Sequence, residues 1–596
     1  MPTGGGKSLT FQVPAMAMEG LCIVVTPLIA LIKDQVDNLR SRGIKALAVY
    51  SGMTYQEILT TLDNAIYGDF RFLYVSPERL GTRLFLQKLH HMHVSMLVVD
   101  EAHCISQWGY DFRPSYLKIA DIREFIDPNI PVLALTASAT KEVVADIQTQ
   151  LKFKEPNVFC KSFERSNLAY IVRQSETKLE DIVTIATRVR GSVIIYVRSR
   201  KKTKEISDFL NQEGFSADYY HAGLPAKDKT VKQNAWKDNQ IRIMVCTNAF
   251  GMGIDKPDVR LVIHFDLPNS VEEYFQEAGR AGRDEKKAFA IILYHKTDST
   301  KLKKRIKDEF PEREFILRIY DYLAYFYQIA DGYGMDRIYD FNIREFCKAY
   351  KLPLLPTHNA LKILDLSGYI EYQDEVNNRS RMMILAYRNE LYSLDVEEEY
   401  NNILNCVLRI YTGLFSGYVT IDETDIAHRT QMSSHQVYEG LAYLSKRKII
   451  DYIPQKKTPL IAYSQPRQES KYIVIPKMVY EKRLNKFELR IKSMCNYAEN
   501  RIICRSKYLL KYFDEDRATD CGQCDICQEK KKTGLTNQLF SEIEQAIKHS
   551  LQEQTLRINV LTNTLSQYKK EDLEIVIRFM LDHAELAIDL DSISLQ

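Results

Sequence analysis

Five short apolar, β-branched runs punctuate the chain up to about residue 150, at 21–26, 46–50, 72–75, 96–99 and 132–136, with helix-patterned segments between them. A chain that alternates this way folds into a parallel sheet with helices on both faces, because parallel strands need a crossover element and bury both of their sides. Each run ends in a polar loop, the place where open α/β sheets bind ligands.

Two of these loops carry chemistry. Ahead of the first run stand Thr3-Gly4-Gly5-Gly6-Lys7-Ser8. Glycines let backbone N–H groups turn inward around phosphate oxygens, a lysine reaches the β- and γ-phosphates, and a following hydroxyl sits on Mg²⁺. Thr3, Gly4, Gly5, Gly6, Lys7 and Ser8 are therefore the candidate ATP-binding loop. The apolar run 9–18 reads as the helix whose N-terminus faces the anion. Further on, Leu97-Val98-Val99 delivers Asp100 and Glu101 to a strand tip. Asp100 is the expected Mg²⁺ partner with Ser8, and Glu101 the expected base that orients the attacking water.

Directly after these acids comes Cys104-Ile105-Ser106-Gln107-Trp108-Gly109-Tyr110-Asp111-Phe112-Arg113-Pro114, which holds one of the two tryptophans of the chain. Aromatic faces beside a cation are what the bases of a single strand stack on. Gln107, Trp108, Phe112 and Arg113 are the candidate DNA contacts; a packed surface loop is the plainer alternative.

From Asp100 to Pro114 the sequence resembles the catalytic box and aromatic-rich loop of the RecQ family of ATP-dependent DNA helicases, with Tyr110 where that family more often has histidine. The resemblance extends through residues 1–297. Segments 26–35 and 75–79 resemble DNA-contacting motifs, and 135–140 resembles the motif that couples hydrolysis to lobe movement. The resemblance implies two RecA-like lobes, ATP and Mg²⁺ as cofactors, single-stranded and duplex or forked DNA as partners, 3′-to-5′ travel, and a role in recombination and repair. Family members carry a strand and a glutamine-containing adenine-recognition segment before the glycine loop. Neither is found here, which leaves a fragment, a misassigned start or an impaired site as readings.

Residues 160–297 repeat the alternation, with 192–197 expected as the first strand of a second lobe and 199–210 as a helix. Segment 244–257 is a strand and a glycine-rich loop; by resemblance it contacts DNA and ATP, with Asp255 near the nucleotide. In Gln276-Glu277-Ala278-Gly279-Arg280-Ala281-Gly282-Arg283-Asp284 the two arginines are expected on one helix face. Arginine offers a fixed charge and a forked donor set for phosphoryl oxygens, so Arg283, with Arg280 beside it, is the candidate arginine finger.

Beyond residue 300 two segments read alike. Helices at 341–350 and 356–368 precede strands at 369–372 and 382–385, and helices at 422–429 and 433–447 precede strands at 448–453 and 459–463. Two helices and a β-hairpin resemble a winged helix, a module that serves DNA and protein contacts alike. Cys504, Cys521, Cys524 and Cys527 suit a closed tetrahedral thiolate site, hence structural Zn²⁺, with an iron–sulfur cluster as the other metal reading. The helix pattern around Cys504 also resembles the RecQ zinc module. Lys482, Arg483, Lys486, Arg490 and Lys492 form a basic run that either tracks phosphates or is a solvated helix face.

The expected fold is α/β: two RecA-like parallel-sheet lobes at 1–155 and 156–300, winged-helix-like modules at 301–395 and 396–480, a helical four-cysteine zinc-binding module at 481–532, and a small helical or winged-helix-like tail at 533–596. Over 596 residues the net charge is only +3, so any basic surface is local. No apolar run approaches the roughly 20 residues of a membrane helix, so no membrane partner is expected; protein partners are not legible. Seven of the eleven cysteines are scattered singly, which points to a reducing, cytoplasmic compartment, nucleoid-associated in a bacterium. The competing class is an ATPase-impaired DNA-binding or annealing protein; an RNA helicase is a second alternative.

Overall fold

In the computed structural model the described residues are 5–51, 53, 55–106, 112–137, 139–251, 256–335, 337–373, 380–386, 396–411, 413–415, 418–454, 460–517, 519–532, 534–552, 555–583, 585–589 and 592–595. The chain divides into two compact units, residues 1–303 with 488–596, and residues 304–487.

The first unit opens with β1 (Leu21–Val25), β2 (Ala46–Val49), β3 (Phe72–Val75), β4 (Val94–Val99) and β5 (Val132–Ala134). They form a parallel sheet in the order β2-β3-β1-β4-β5. The two-residue period of a strand divides their side chains between two cores. Ile23, Val25, Leu73, Leu97 and Val99 pack on one face with Ile58, Leu62 and Val143. Cys22, Val24, Tyr74, Met96 and Val98 pack on the other with Phe11, Ala15 and Val36. Each fully buried Val or Leu contributes about 1.5–3 kcal/mol, so the sheet holds its loops rigidly. β3 and β4 end where expected, while β1, β2 and β5 stop one or two residues short: Thr26, Tyr50, Leu135 and Thr136 belong to loops.

A second parallel sheet follows: β6 (Leu168–Gln174), β7 (Ser192–Tyr196), β8 (Ala217–Tyr220), β9 (Ile243–Cys246), β10 (Val259–His264) and β11 (Ala288–Tyr294), in the order β6-β11-β10-β7-β9-β8. The expectation that 192–197 is its first strand is corrected. β6 precedes it, pairing along its whole length with β11 at the sheet edge. The helix expected at 199–210 is Arg200–Gln212, and the Ser199 hydroxyl caps it by accepting from the Lys202 N–H.

The second unit contains β12 (Ile338–Asp340), β13 (Ile370–Gln373), β14 (Arg381–Ile384), β15 (Val419–Thr420), β16 (Ile450–Ile453) and β17 (Leu460–Tyr463). Both winged-helix patterns are present, but the expected local hairpins are not. β13 pairs with β17, and β14 pairs with β16. The sheets run β12-β17-β13 and β15-β14-β16, so the second winged helix is inserted between the two wing strands of the first. The expected division at 395/396 therefore separates β14 from its own sheet. Side-chain fit explains the exchange. Ile461 and Tyr463 of β17 are buried with Ile316, Tyr320 and Leu364, and the Tyr463 ring meets Tyr320 edge-on at 5.5 Å. Met382 and Ile384 of β14 are buried with Ile403, Val437 and Leu441. The helix Ser434–Lys446 begins with a capping box between Ser433 and Gln436.

In the first unit, the cysteine segment contributes the helices Arg505–Tyr512 and Asp525–Lys532. The tail has the helix Asn537–Leu551, β18 (Leu556–Arg557), the helices Ile558–Thr564 and Lys570–Asp582, β19 (Leu586–Asp589) and β20 (Ser592–Leu595). Its three strands pair in the order β18-β20-β19, the strand order of a winged helix. The buried Lys530 ammonium joins the two parts, 2.9 Å from the Glu544 carboxylate. No helix among the described residues is long and apolar enough to cross a membrane.

Candidate active site and metal centre

The helix Lys7–Ala17 starts directly after Gly6, whose φ of +80° is a left-handed conformation that glycine adopts without strain. A Cβ at Gly6 would meet nothing within 4 Å among the described residues. Lys7 Nζ lies 3.1 Å from Glu101 Oε1. Gly5, Gly6 and Ser8 are half-buried beside it; Thr3 and Gly4 lie outside the described residues.

The two acids are held at the tip of β4. The Asp100 N–H donates to the Val25 carbonyl at 2.8 Å, continuing the strand ladder. The Tyr116 hydroxyl donates to the Asp100 carbonyl at 3.0 Å. Glu101 turns sharply, with a φ of 47°, and its N–H donates to Asp100 Oδ1 at 2.9 Å. Strain of this kind persists where packing over-determines it, and here the Ala102 N–H is fixed on the Leu135 carbonyl at 2.8 Å. His103, fully buried, places Nδ1 3.3 Å from Glu101 Oε2 and 3.1 Å from the Thr136 hydroxyl. The acids are thereby tied to the 135–140 segment.

Their electrostatics differ. Burial, reinforced by the neighbouring Glu101 charge, raises Asp100 to about 6 against the opposing pull of Lys7. Burial also pushes the Glu101 carboxyl up, but Lys7, His103 and Arg280 outweigh it and hold it below its usual range. Arg280 belongs to the second lobe, so an arginine of one lobe acts on the acid of the other.

The two arginines do not share a helix face. The helix Val271–Ala278 ends before them, and a left-handed Gly282 at φ 61° between them keeps the backbone from running on as a helix. Arg280 is buried and donates from Nη1 to the Gly251 carbonyl. A Cβ at Gly251 would come within 2.7 Å of its Nη2, so that glycine makes room for the guanidinium. Arg283 is half-buried in the same turn. Asp255 lies outside the described residues. Between the lobes, Lys237 Nζ pairs with Asp34 Oδ1 at 2.5 Å.

Of the candidate DNA contacts, Gln107 and Trp108 lie outside the described residues. Phe112 is half-buried, and Arg113 Nη1 donates to the Pro27 carbonyl at 3.0 Å, which anchors the loop end to the 26–35 segment. In the basic run two residues serve packing: Arg490 lies 3.7 Å from Glu272, and burial lowers Arg483 while Glu309 opposes it.

Cys504, Cys521, Cys524 and Cys527 bring their sulfurs within 4.8 Å of one another. Tetrahedral Zn²⁺ with bonds of about 2.3 Å separates its thiolates by about 3.8 Å. The Cys521–Cys527 and Cys504–Cys524 sulfurs stand 3.9 and 4.0 Å apart. Backbone N–H groups of Cys521, Cys524 and Cys527 donate to sulfur at 3.2, 3.4 and 3.4 Å, which stabilises thiolates. The quartet fits Zn²⁺, and Cys495 stands outside it.

Sequence reasoning missed several supporting residues: His103 and Tyr116, which orient the acids, and Arg165 and Asn167, which lie under the arginine turn. Isolated polar residues in loops carry no periodic signal.

Family models match along the chain: DEAD/DEAH box helicase over residues 1–147, helicase conserved C-terminal domain over 175–285, RecQ helicase winged-helix domain of Bacteroidota over 382–454, and RecQ zinc-binding over 472–528. The winged-helix match spans β14 to β16, the inserted module. The "ATP-dependent DNA helicase RecQ" of Pasteurella multocida is 42% identical over 317 residues, 53% of this chain and 50% of that one. The "Probable ATP-dependent DNA helicase RecS" of Bacillus subtilis is 42% identical over 298 residues, 49% of this chain and 60% of that one. The chain thus spans about half the length of the curated relatives it matches. With two RecA-like parallel-sheet lobes, a RecQ winged helix and a RecQ zinc module in one chain, it belongs to the RecQ family of helicases.

Proposed function

We propose that this chain is an ATP-dependent DNA helicase of the RecQ type, moving 3′ to 5′ on single-stranded DNA and unwinding duplex or forked DNA in recombination and repair. The observation that carries this reading is the pairing of Lys7, at the end of the glycine loop, with Glu101 at 3.1 Å, an acid whose carboxyl also feels the charge of Arg280 from the second lobe. Lys7 binds phosphate oxygens once nucleotide enters, and Glu101, released from it, accepts the proton of the attacking water. Ser8 and Asp100 would hold Mg²⁺, which neutralises developing phosphate charge. Arg283, with Arg280 behind it, supplies the guanidinium for the transferring phosphoryl group, and Asp255 approaches the nucleotide from the same lobe. The glycine loop of Thr3, Gly4, Gly5 and Gly6 cradles the phosphates.

Movement follows from the lobes closing on nucleotide and parting after hydrolysis, if grip on the strand differs between the two states. Gln107, Trp108, Phe112 and Arg113 are the contacts on lobe 1. The 104–114 loop begins three residues after Glu101, so strand binding and hydrolysis can be coupled over a short path. A DNA-acting protein of this kind works in the cytoplasm, at the nucleoid of a bacterial cell.

The test is ATP hydrolysis and strand displacement by the purified chain on DNA with a 3′ or a 5′ tail. DNA-stimulated turnover and displacement of 3′-tailed duplex are expected. Binding or annealing without turnover identifies the ATPase-impaired alternative, and stimulation by RNA alone identifies an RNA helicase.

A further inference from the structure

The connection between the lobes is organised around one guanidinium. Arg165 donates from Nη1 to the Gly279 carbonyl at 3.2 Å, and from Nη2 to the Ala281 and Gly282 carbonyls at 3.0 and 2.9 Å. Asn167 adds bonds from Nδ2 to the Gly282 and Lys286 carbonyls at 2.7 and 2.9 Å, and its Oδ1 accepts from Arg165 Nε at 3.4 Å. These carbonyls belong to the turn that carries Arg280 and Arg283. Past the end of the helix at Ala278 these carbonyls have no place in a helical ladder, and a buried carbonyl needs a donor. The planar, fixed fork of arginine takes several at once. Contact is close: a Cβ at Gly282 would come within 2.6 Å of Asn167 Nδ2.

The zinc module grips the chain on both sides of Arg165. Glu515 accepts from the Ser162 hydroxyl and, at 2.9 Å, from the Phe163 N–H. Arg517 pairs with Glu164 at 2.6 Å. Gln523 Nε2 donates to the Ser166 carbonyl at 2.8 Å. The Phe163 ring stacks on Phe513 at 4.9 Å and meets Phe275, on the helix before the arginine turn, edge-on at 5.9 Å.

We infer that Arg165 is a positioning residue for ATP turnover: it sets the backbone of the arginine turn, and the zinc module holds it in place to do so. This rests on the ATPase reading above. Arg165 acts through the turn, so its loss slows the chemical step and spares nucleotide binding, which the lobe 1 loop supplies. A displacement of an ångström in such a group costs up to about 100-fold in rate.

The test is steady-state, DNA-stimulated ATP hydrolysis by the full chain carrying Arg165→Ala, Arg165→Lys, Arg283→Ala or Arg165→Ala with Arg283→Ala. Arg165→Ala is expected to lower kcat about tenfold or more while KM for ATP stays within about threefold. Lysine, with one point charge in place of a fork, gives an intermediate kcat. Because the two arginines act in series, adding Arg165→Ala to Arg283→Ala lowers kcat by less than about twofold. A kcat for Arg165→Ala within about twofold of the unsubstituted chain, or two effects that multiply, overturns the inference. Should Arg165→Ala fail to fold, Arg165→Lys decides: reduced kcat at constant KM supports, unchanged kcat overturns. If the unsubstituted chain shows no turnover, the ATPase reading fails on its own. Amide exchange across 279–286 then decides the brace, faster exchange in Arg165→Lys supporting it and equal exchange overturning it.

Discussion

Lys7 Nζ stands 3.1 Å from Glu101 Oε1, so the lysine of the glycine loop and the acid that follows β4 neutralise each other. The pair is largely buried, with 16% and 10% of the two side chains exposed, so each charge depends on its partner. In the proposed reaction, incoming phosphate replaces Glu101 as the partner of Lys7 and frees the carboxylate to act as a base.

Removing either member therefore has separable effects. Lys7→Ala is expected to abolish tight ATP binding and lower turnover by about 100-fold or more. Glu101→Gln keeps the volume and removes the base; turnover falls by about 100-fold while ATP affinity stays within a few-fold. Phosphate release and equilibrium binding of a labelled ATP analogue measure the two.

The nested winged helices make a deletion informative. Gln373 and Leu460 are directly paired across β13 and β17, the register that a two-residue turn closes. Replacing residues 374–459 by Asn-Gly is expected to leave a folded first winged helix, since β12, β13 and β17 all remain. Circular dichroism and the thermal midpoint of that variant check it. Tandem modules with local hairpins would lose a wing strand and unfold.

The cysteine quartet makes a direct statement about metal. Cys521→Ser is expected to reduce bound zinc from about one per chain toward zero and to lower the thermal midpoint, because ligation energy is folding energy. Elemental analysis of the purified chain reads the first and calorimetry the second. A quartet that bound no zinc, or bound iron, would remove the assignment.

Stability carries a pH signature from a buried cluster in the second lobe. His264 Nε2 and Glu277 Oε2 are 2.9 Å apart, with Glu273, Arg280, Tyr196 and Tyr274 around them. Burial pushes His264 down to about 3 and Glu277 up to about 8, the latter against the pull of Arg280. Burial and the neighbouring Glu277 raise Glu273 to about 7. From about 4.5, the ordinary value of these carboxyls, up to about 8, the folded chain holds carboxyl protons that the unfolded chain has lost, so their contribution to stability falls as pH rises through that window. Below 6.5 the unfolded chain gains a histidine proton that the folded chain refuses, and this contribution falls with falling pH. Glu277→Gln keeps a hydrogen bond to His264 and is expected to flatten the decline between pH 6.5 and 8, read from thermal midpoints.

The parts of this structure legible from sequence are those with local signals. The β-branched runs gave strands within a residue or two, Leu97–Val99 pointed its two acids at the right loop, and cysteine spacing gave the metal quartet. Non-local choices were not legible. β13 could pair with β14 or β17 at equal sequence cost; the fit of Ile461 and Tyr463 into the core around Tyr320 decided it. The arginines read as helical because their spacing is three, while the left-handed Gly282 between them ended that possibility. Arg165 and Asn167 gave no pattern at all, being two polar residues in a connection, and only the carbonyls they meet reveal them.

The most direct measurement of a nucleotide shared between two lobes is DNA-stimulated ATP hydrolysis by the full chain against its Arg283→Ala variant, with ATP binding measured alongside. The expected result is turnover by the unsubstituted chain that rises with single-stranded DNA and falls by about 1,000-fold in the variant at near-constant ATP affinity. Equal turnover by the two proteins, or none from the unsubstituted chain with or without DNA, would contradict it.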